Sequence, residues 1–146
     1  MVTKRPSKLR FFESTEDAVD DCGNVVDHTL VEAQLMGGIT QGAGQVFGEK
    51  ALYDRATGQL LSGSFMDYPM PRAGWLGELT ILDNGVPSPT NPLGIKGVGE
   101  SGTTGAMPTI VNATLDALAP LGVKHLDMPL TPARVWEAIQ AARGAG

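Results

Sequence analysis

The sequence predicts an α/β fold, with α+β as the alternative. Three observations carry that reading. Apolar residues recur at helical spacing over 28–47 and again over about 105–118. A Thr-Pro pair opens a third helical pattern near residue 131. Between the helices, short stretches such as Leu76 to Leu82 alternate apolar and polar residues as strands do. Helices alternating with short strands define the class.

Residues 1–18 are polar and charged, ending in Glu13-Ser14-Thr15-Glu16-Asp17, and read as an N-terminal tail; residues 19–146 read as a single unit. Ala18 to Val26 is expected to be a short strand or turn carrying Asp20-Asp21-Cys22-Gly23-Asn24. Asp27 then offers a side-chain oxygen to cap a helix from His28 to about Phe47, with Leu30, Val31, Leu35 and Ile39 as its apolar stripe. Gly37, Gly38, Gly42 and Gly44 each weaken that helix by up to roughly 1 kcal/mol relative to alanine. Glycines this dense mean either a bulky group close to the helix backbone or tight packing on another helix or strand.

Ala51–Tyr53 and Leu60–Met66 flank the turn sequence Asp54-Arg55-Ala56-Thr57-Gly58, a hairpin-like excursion. Tyr68-Pro69-Met70-Pro71 breaks the chain before the 76–82 strand, and Asp83-Asn84-Gly85 closes that strand. A helix from Thr103 or Gly105 to Leu118 is expected, capped by Ser101 or Thr103, with Met107, Ile110, Val111, Ala113, Leu115 and Leu118 turned inward. The last helix follows the Thr131 cap with Val135, Trp136 and Ile139 as its core face.

The 146 residues fit one domain, and 42% hydrophobic with 18% charged residues is ordinary for a globular chain. A net charge of -5, with basic residues grouped only at Lys4, Arg5, Lys8 and Arg10, argues against nucleic acid. No apolar run reaches the roughly 18 residues of a membrane span, and no apolar segment follows the N-terminal charges as in a secretory signal. The single Cys22 suits a reducing compartment, so a cytoplasmic location is expected. His28 and His125 have no partners at zinc-ligand spacing, and no protein metal site is expected.

The most informative stretch is Gly94-Ile95-Lys96-Gly97-Val98-Gly99-Glu100-Ser101-Gly102. It contains a formal G-x-G-x-x-G, but Pro87, Pro89 and Pro92 precede it where a dinucleotide site needs a hydrophobic strand. Glu100 precedes a helix, where the dipole favours negative charge. It reads either as a plain helix-start carboxylate or as a general base held among glycines.

That stretch resembles the active-site segment of the molybdenum hydroxylases, the family of xanthine dehydrogenase, aldehyde oxidase and aerobic carbon monoxide dehydrogenase. Asp20-Asp21-Cys22-Gly23 followed by Leu30-Val31-Glu32-Ala33-Gln34 resembles its segment leading into a cofactor-contacting helix, and Gly37-Gly38-Ile39-Thr40-Gln41-Gly42-Ala43-Gly44 resembles its GGxxQGxG segment. Asp67 to Pro71, Pro87 to Pro92 and Pro129 to Ile139 match later signatures, so the resemblance covers about residues 19–143.

The resemblance implies the C-terminal subdomain of the family's molybdopterin-binding domain. It implies a molybdenum–molybdopterin cofactor, in the cytosine dinucleotide form, and Glu100 as general base. Gln41, Gly38, Gly42, Lys96, Gly97, Val98 and Gly99 would line the pterin, with no protein ligand to the metal. Family large subunits are several times longer than this chain. The expectation is therefore a catalytic segment active only with a separate chain carrying the remainder, together with FAD and iron–sulfur subunits. The isolated chain would then hold no cofactor. The alternative is a truncated homologue without catalysis, acting as a binding or assembly module. Self-association is compatible with either.

Overall fold

The computed structural model describes residues 16–75, 77 and 79–144. The basic group at Lys4 to Arg10, and the tail as far as Thr15, lie outside the described residues. Strand β1, Glu16–Asp20, pairs in parallel with β2, Leu79–Asp83, in a register running from Glu16 opposite Leu79 to Asp20 opposite Asp83. The last residues of the expected tail therefore enter the sheet. Along β1, Ala18 and Asp20 are half-buried whereas Asp17 and Val19 are exposed, the two-residue period of a strand with one face covered. Leu76 and Glu78 of the expected 76–82 strand fall outside the described residues, and β2 runs one residue further, to Asp83.

Parallel strands require a crossover. Here it contains helix α1, His28–Phe47. Asp27 caps it as expected: its Oδ1 accepts from the Leu30 N–H at 3.1 Å. At the far end the Gly48 N–H donates to the Gly44 carbonyl at 2.9 Å. Leu35 and Ile39 are buried, one turn apart, whereas Leu30 is 65% exposed. At about 100° per residue, Leu30 sits well round the helix from Leu35 and misses the stripe. The turn at Asp54 forms as read: Asp54 Oδ1 accepts from Thr57 N at 2.8 Å and from Thr57 Oγ1 at 2.7 Å, and Gly58 has φ +72°. Its flanks meet in a single bridge, Tyr53 to Leu60, and not in full strands.

Helix α2, Ser101–Leu118, starts earlier than expected, with Glu100 at the N-cap and no side-chain cap hydrogen bond. The two hydroxyls expected to cap it are engaged elsewhere. Ser101 Oγ donates to Asp20 Oδ2 at 2.9 Å, and Thr103 Oγ1 donates to the Gly38 carbonyl at 3.0 Å. α1 and α2 pack along a seam of small residues, Gly38 and Gly42 against Gly102 and Ala106, each pair one turn apart on its helix. A Cβ built at Gly42 would lie 2.7 Å from the Ala106 Cβ, and one at Gly102 would lie 2.6 Å from the Leu35 carbonyl oxygen. Tight helix packing accounts for these glycines.

Beneath the seam, Ile39, Ala43, Val46, Ala106, Ile110 and Leu130 form the core, joined by Ala18, Leu79 and Ile81 from the strands. Burying each larger side chain of this kind contributes roughly 1.5–3 kcal/mol. Helix α3, Pro132–Gly144, begins after Thr131, whose Oγ1 accepts from the Arg134 N–H at 3.4 Å. Val135 packs on the core and Ile139, one turn on, is half-buried. Trp136 is 62% exposed, contrary to expectation, because it lies about 100° round from the Val135–Ile139 line.

Candidate cofactor-binding site

The glycine-rich loop between β2 and α2 is held at its start by the segment that follows β1. The Asn24 N–H donates to the Gly94 carbonyl and the Lys96 N–H to the Cys22 carbonyl, both at 2.9 Å, while Asn24 Nδ2 donates to the Leu93 carbonyl at 2.9 Å. Gly23 and Gly94 both have positive φ, +67° and +66°, and a Cβ on Gly23 would fall 2.2 Å from the Gly94 oxygen. Only glycine allows that approach. Asn91 closes the loop from within: its amide accepts from Ile95 N at 3.2 Å and donates to Ile95 O at 2.9 Å.

Lys96 turns its ammonium back to form an ion pair with the Asp21 carboxylate. Hydrogen bonding from Lys96, and then from the Val86 and Gly23 N–H groups, holds Asp21 down at about 2. The lysine side chain is thus occupied in fixing the loop, leaving its neighbours' backbone as the exposed surface. Gly97 and Gly99 are exposed, and a Cβ at either would meet nothing within 4 Å. Val98 is half-buried. Glu100 is exposed at the N-cap, and its carbonyl accepts from both Thr104 N and Thr104 Oγ1 at 3.0 Å.

Gln41 is exposed on α1, with its Oε1 3.5 Å from Thr103 Oγ1 in the first turn of α2. The helix seam thus brings Gln41 to the end of α2 where Glu100 sits. Gly38 and Gly42 are buried and face the seam itself, where their missing Cβ atoms leave room for α2. Lys96 to Glu100 thus lead into the N-terminus of α2, Gln41 stands beside its first turn, and Gly38 and Gly42 lie in the helix seam.

The residues fit a polar group bound against main chain. Glycine backbone offers an open surface, the Gln41 amide can both donate and accept, and the first N–H groups of α2 lack intrahelical partners. Cys22 takes no part: it is buried, and burial followed by its hydrogen bond to Asp20 pushes its thiol up to about 11.

Residue-by-residue reading of the sequence missed the 20–24 segment as the holder of this loop, together with Ser101 and Thr103. Asp-Asp-Cys-Gly-Asn is visible as a polar cluster, but its partners lie far along the chain, where spacing gives no signal.

The candidate site is thus an open glycine backbone at a helix N-terminus, flanked by an amide and a carboxylate. The profile of the molybdopterin cofactor-binding domain family matches residues 14–76. The chain is 41% identical over 127 residues to the carbon monoxide dehydrogenase large chain of Hydrogenophaga pseudoflava, covering 84% of this chain and 15% of the relative. It is 39% identical over 121 residues to the nicotine 6-hydroxylase large subunit of Paenarthrobacter nicotinovorans, covering 83% of this chain and 15% of that subunit. Among solved structures, quinoline 2-oxidoreductase from Pseudomonas putida 86 superposes with a TM-score of 0.81 at 41% identity, over 86% of this chain and 16% of that one. Carbon monoxide dehydrogenase from Oligotropha carboxidovorans superposes with a TM-score of 0.81 at 35% identity, over 89% of this chain and 16% of that one. The chain is similar over most of its length to part of the molybdopterin-binding domain of molybdenum hydroxylases, and spans 15% of the length of these curated relatives.

Proposed function

We propose that this chain supplies the base-bearing wall of a molybdenum hydroxylase active site and works with a chain carrying the remainder of the large subunit. The observation that carries this reading is the convergence at α2: Glu100 lies exposed at its N-cap, and Gln41 is brought to its first turn through Thr103. When bound, the molybdenum–molybdopterin cofactor, in its cytosine dinucleotide form, supplies the redox chemistry of substrate hydroxylation. Gly97, Val98, Gly99 and the Lys96 backbone hold the pterin by main-chain contact, and the Gln41 amide orients it. Gly38 and Gly42 keep α1 close enough for Gln41 to reach. Glu100 takes up, on a carboxylate oxygen, the proton released when the substrate carbon is hydroxylated.

The substrate is an aldehyde, a purine-like heterocycle or carbon monoxide, and FAD and iron–sulfur subunits carry the electrons away. No helix among the described residues is long and apolar enough to cross a membrane, and we place the assembly in the cytoplasm.

The test is Glu100→Gln in the assembled enzyme. Molybdenum content should hold at the wild-type level while kcat falls by about 10²–10⁴-fold, the usual contribution of a general base. Wild-type turnover would remove Glu100 from the mechanism.

A second reading, an assembly module without catalysis, is favoured by the exposure of Leu61, Phe65 and Met66, at 57%, 72% and 89%. Molybdenum and pterin analysis after co-expression with the remaining subunits separates the two. Near one molybdenum per chain supports the catalytic reading, and none supports the module.

A further inference from the structure

The geometry points to Asp20 as a positioning residue that fixes the first turn of α2, and through it the direction of Glu100; the inference rests on reading Glu100 as the base. Glu100 has neither a cap hydrogen bond nor an ion pair among the described residues, so its own side chain does not set its place. The loop before it is tied down from Leu93 to Lys96, and no comparable tie to another segment among the described residues holds Gly97 to Glu100. The next anchor is Ser101, the residue after Glu100.

Ser101 Oγ carries one proton and has two acceptors, Asp20 Oδ2 at 2.9 Å and the Val98 carbonyl at 3.0 Å. A carboxylate acceptor makes the stronger bond, so Asp20 takes the larger share. Asp20 is itself fixed. It ends β1 in register with Asp83, its carbonyl accepts from Asn84 N at 2.9 Å, and the same Oδ2 accepts from Cys22 Sγ at 3.3 Å. A rigid sheet end is thereby joined to the residue beside the base, across 81 positions of sequence. The carboxylate at Asp20 anchors one side of the 97–100 loop, as the Asp21–Lys96 ion pair anchors the other. Misplacing a catalytic group by about 1 Å can cost as much as 10²-fold in rate.

Two measurements test this together. The first is amide hydrogen exchange in the full 146-residue chain. Asp20→Ala and Ser101→Ala should each speed exchange at residues 104–106, the first amides of α2 with partners one turn back, by about tenfold or more, leaving Ile39 to Val46 unchanged, whereas Ser101→Thr, which keeps the hydroxyl, should match wild type. The second is the assembled enzyme. Ser101→Ala and Asp20→Ala should lower kcat by about 10–100-fold with KM and molybdenum content unchanged, the double variant should be no worse than the more impaired single one, and Ser101→Thr should restore the rate. Unchanged exchange in both alanine variants overturns the proposal whatever Glu100 does. Faster exchange with wild-type kcat, or a loss confined to KM or molybdenum content, also overturns it. If Glu100→Gln keeps wild-type turnover, the reading of the base fails and this proposal with it, whereas an inactive Glu100→Gln beside unchanged exchange sinks the proposal alone. Should Asp20→Ala not fold, Ser101→Ala carries both measurements.

Discussion

Adjacent glycines on α1 should respond in opposite directions to the same substitution. Gly37 is exposed, and a Cβ there would meet nothing within 4 Å. Gly38 is buried, and its Cβ would lie 2.9 Å from the Thr103 nitrogen and 3.1 Å from the Gly102 Cα, both backbone atoms of α2. Both positions sit inside the helix, so alanine should gain about 0.8–1 kcal/mol at each from reduced backbone entropy. At Gly38 that gain is opposed. To reach ordinary contact near 3.4 Å, α2 must retreat by roughly 0.5 Å along a seam with no flexible side chain to yield. Overpacking of this kind costs about 1–3 kcal/mol. Gly37→Ala should therefore stabilise the chain by about 0.5–1 kcal/mol and Gly38→Ala should lose up to about 2 kcal/mol, a gap of about 1–3 kcal/mol between neighbours. Urea unfolding of the two variants measures it through the shift in midpoint at constant slope. Equal stabilisation by both would refute the tight seam, and with it the placement of Gln41 beside α2.

The remaining predictions concern the loop anchors. Asp21 is held at about 2, below its ordinary 3.8, so its contribution to stability is present above pH 3.8 and is lost as pH falls through about 2. Its carboxyl ¹³C shift should titrate near 2, moving upward in Lys96→Met; a wild-type midpoint near 3.8 would break the assignment. Cys22 is pushed from 9.0 to about 11. The folded chain therefore keeps a proton that the unfolded chain releases, and stability falls as pH rises from 9 to 11. Iodoacetamide at pH 8.5 should alkylate Cys22 far more slowly than a free thiol, and Asp20→Asn should speed the reaction; alkylation of wild type at the free-thiol rate would contradict the buried site.

Much of the fold was legible because the relevant signals are local. Asp27, the 28–47 helix, the Asp54 turn and the Thr131-Pro132 start each depend on residues within a turn of one another, and each appears where read. Periodicity was less sure about which residues face inward, since Leu30 and Trp136 are apolar yet lie off their helix stripes. The start of α2 was misplaced for a long-range reason. Ser101 and Thr103 are good capping residues in isolation, but Asp20 and the Gly38 carbonyl claim their hydroxyls, and neither partner is visible from the local sequence. The candidate site divides in the same way. Glu100 and its glycines stand out by composition, and Gln41 by its glycine-rich surroundings, but the loop is held by contacts between the 20–24 segment and residues 83–101, and Gln41 is placed by the seam between α1 and α2.

The contacts that complete the site span 65, 75 and 81 positions, from Gly38 to Thr103, Asp21 to Lys96 and Asp20 to Ser101. Closing loops of that length is entropically costly, and topologies dominated by distant contacts fold slowly, on millisecond to second scales. Little of the tertiary structure can reward the chain before residues near 100 arrive, because the β1 partner, the cover of the α1 stripe and the glycine loop itself all lie C-terminal to residue 78. During synthesis, the apolar face of α1 is made well before its cover and stays open to chaperones or to other chains. The same delay means that Gln41 and the first turn of α2 come together only when the last long loops close.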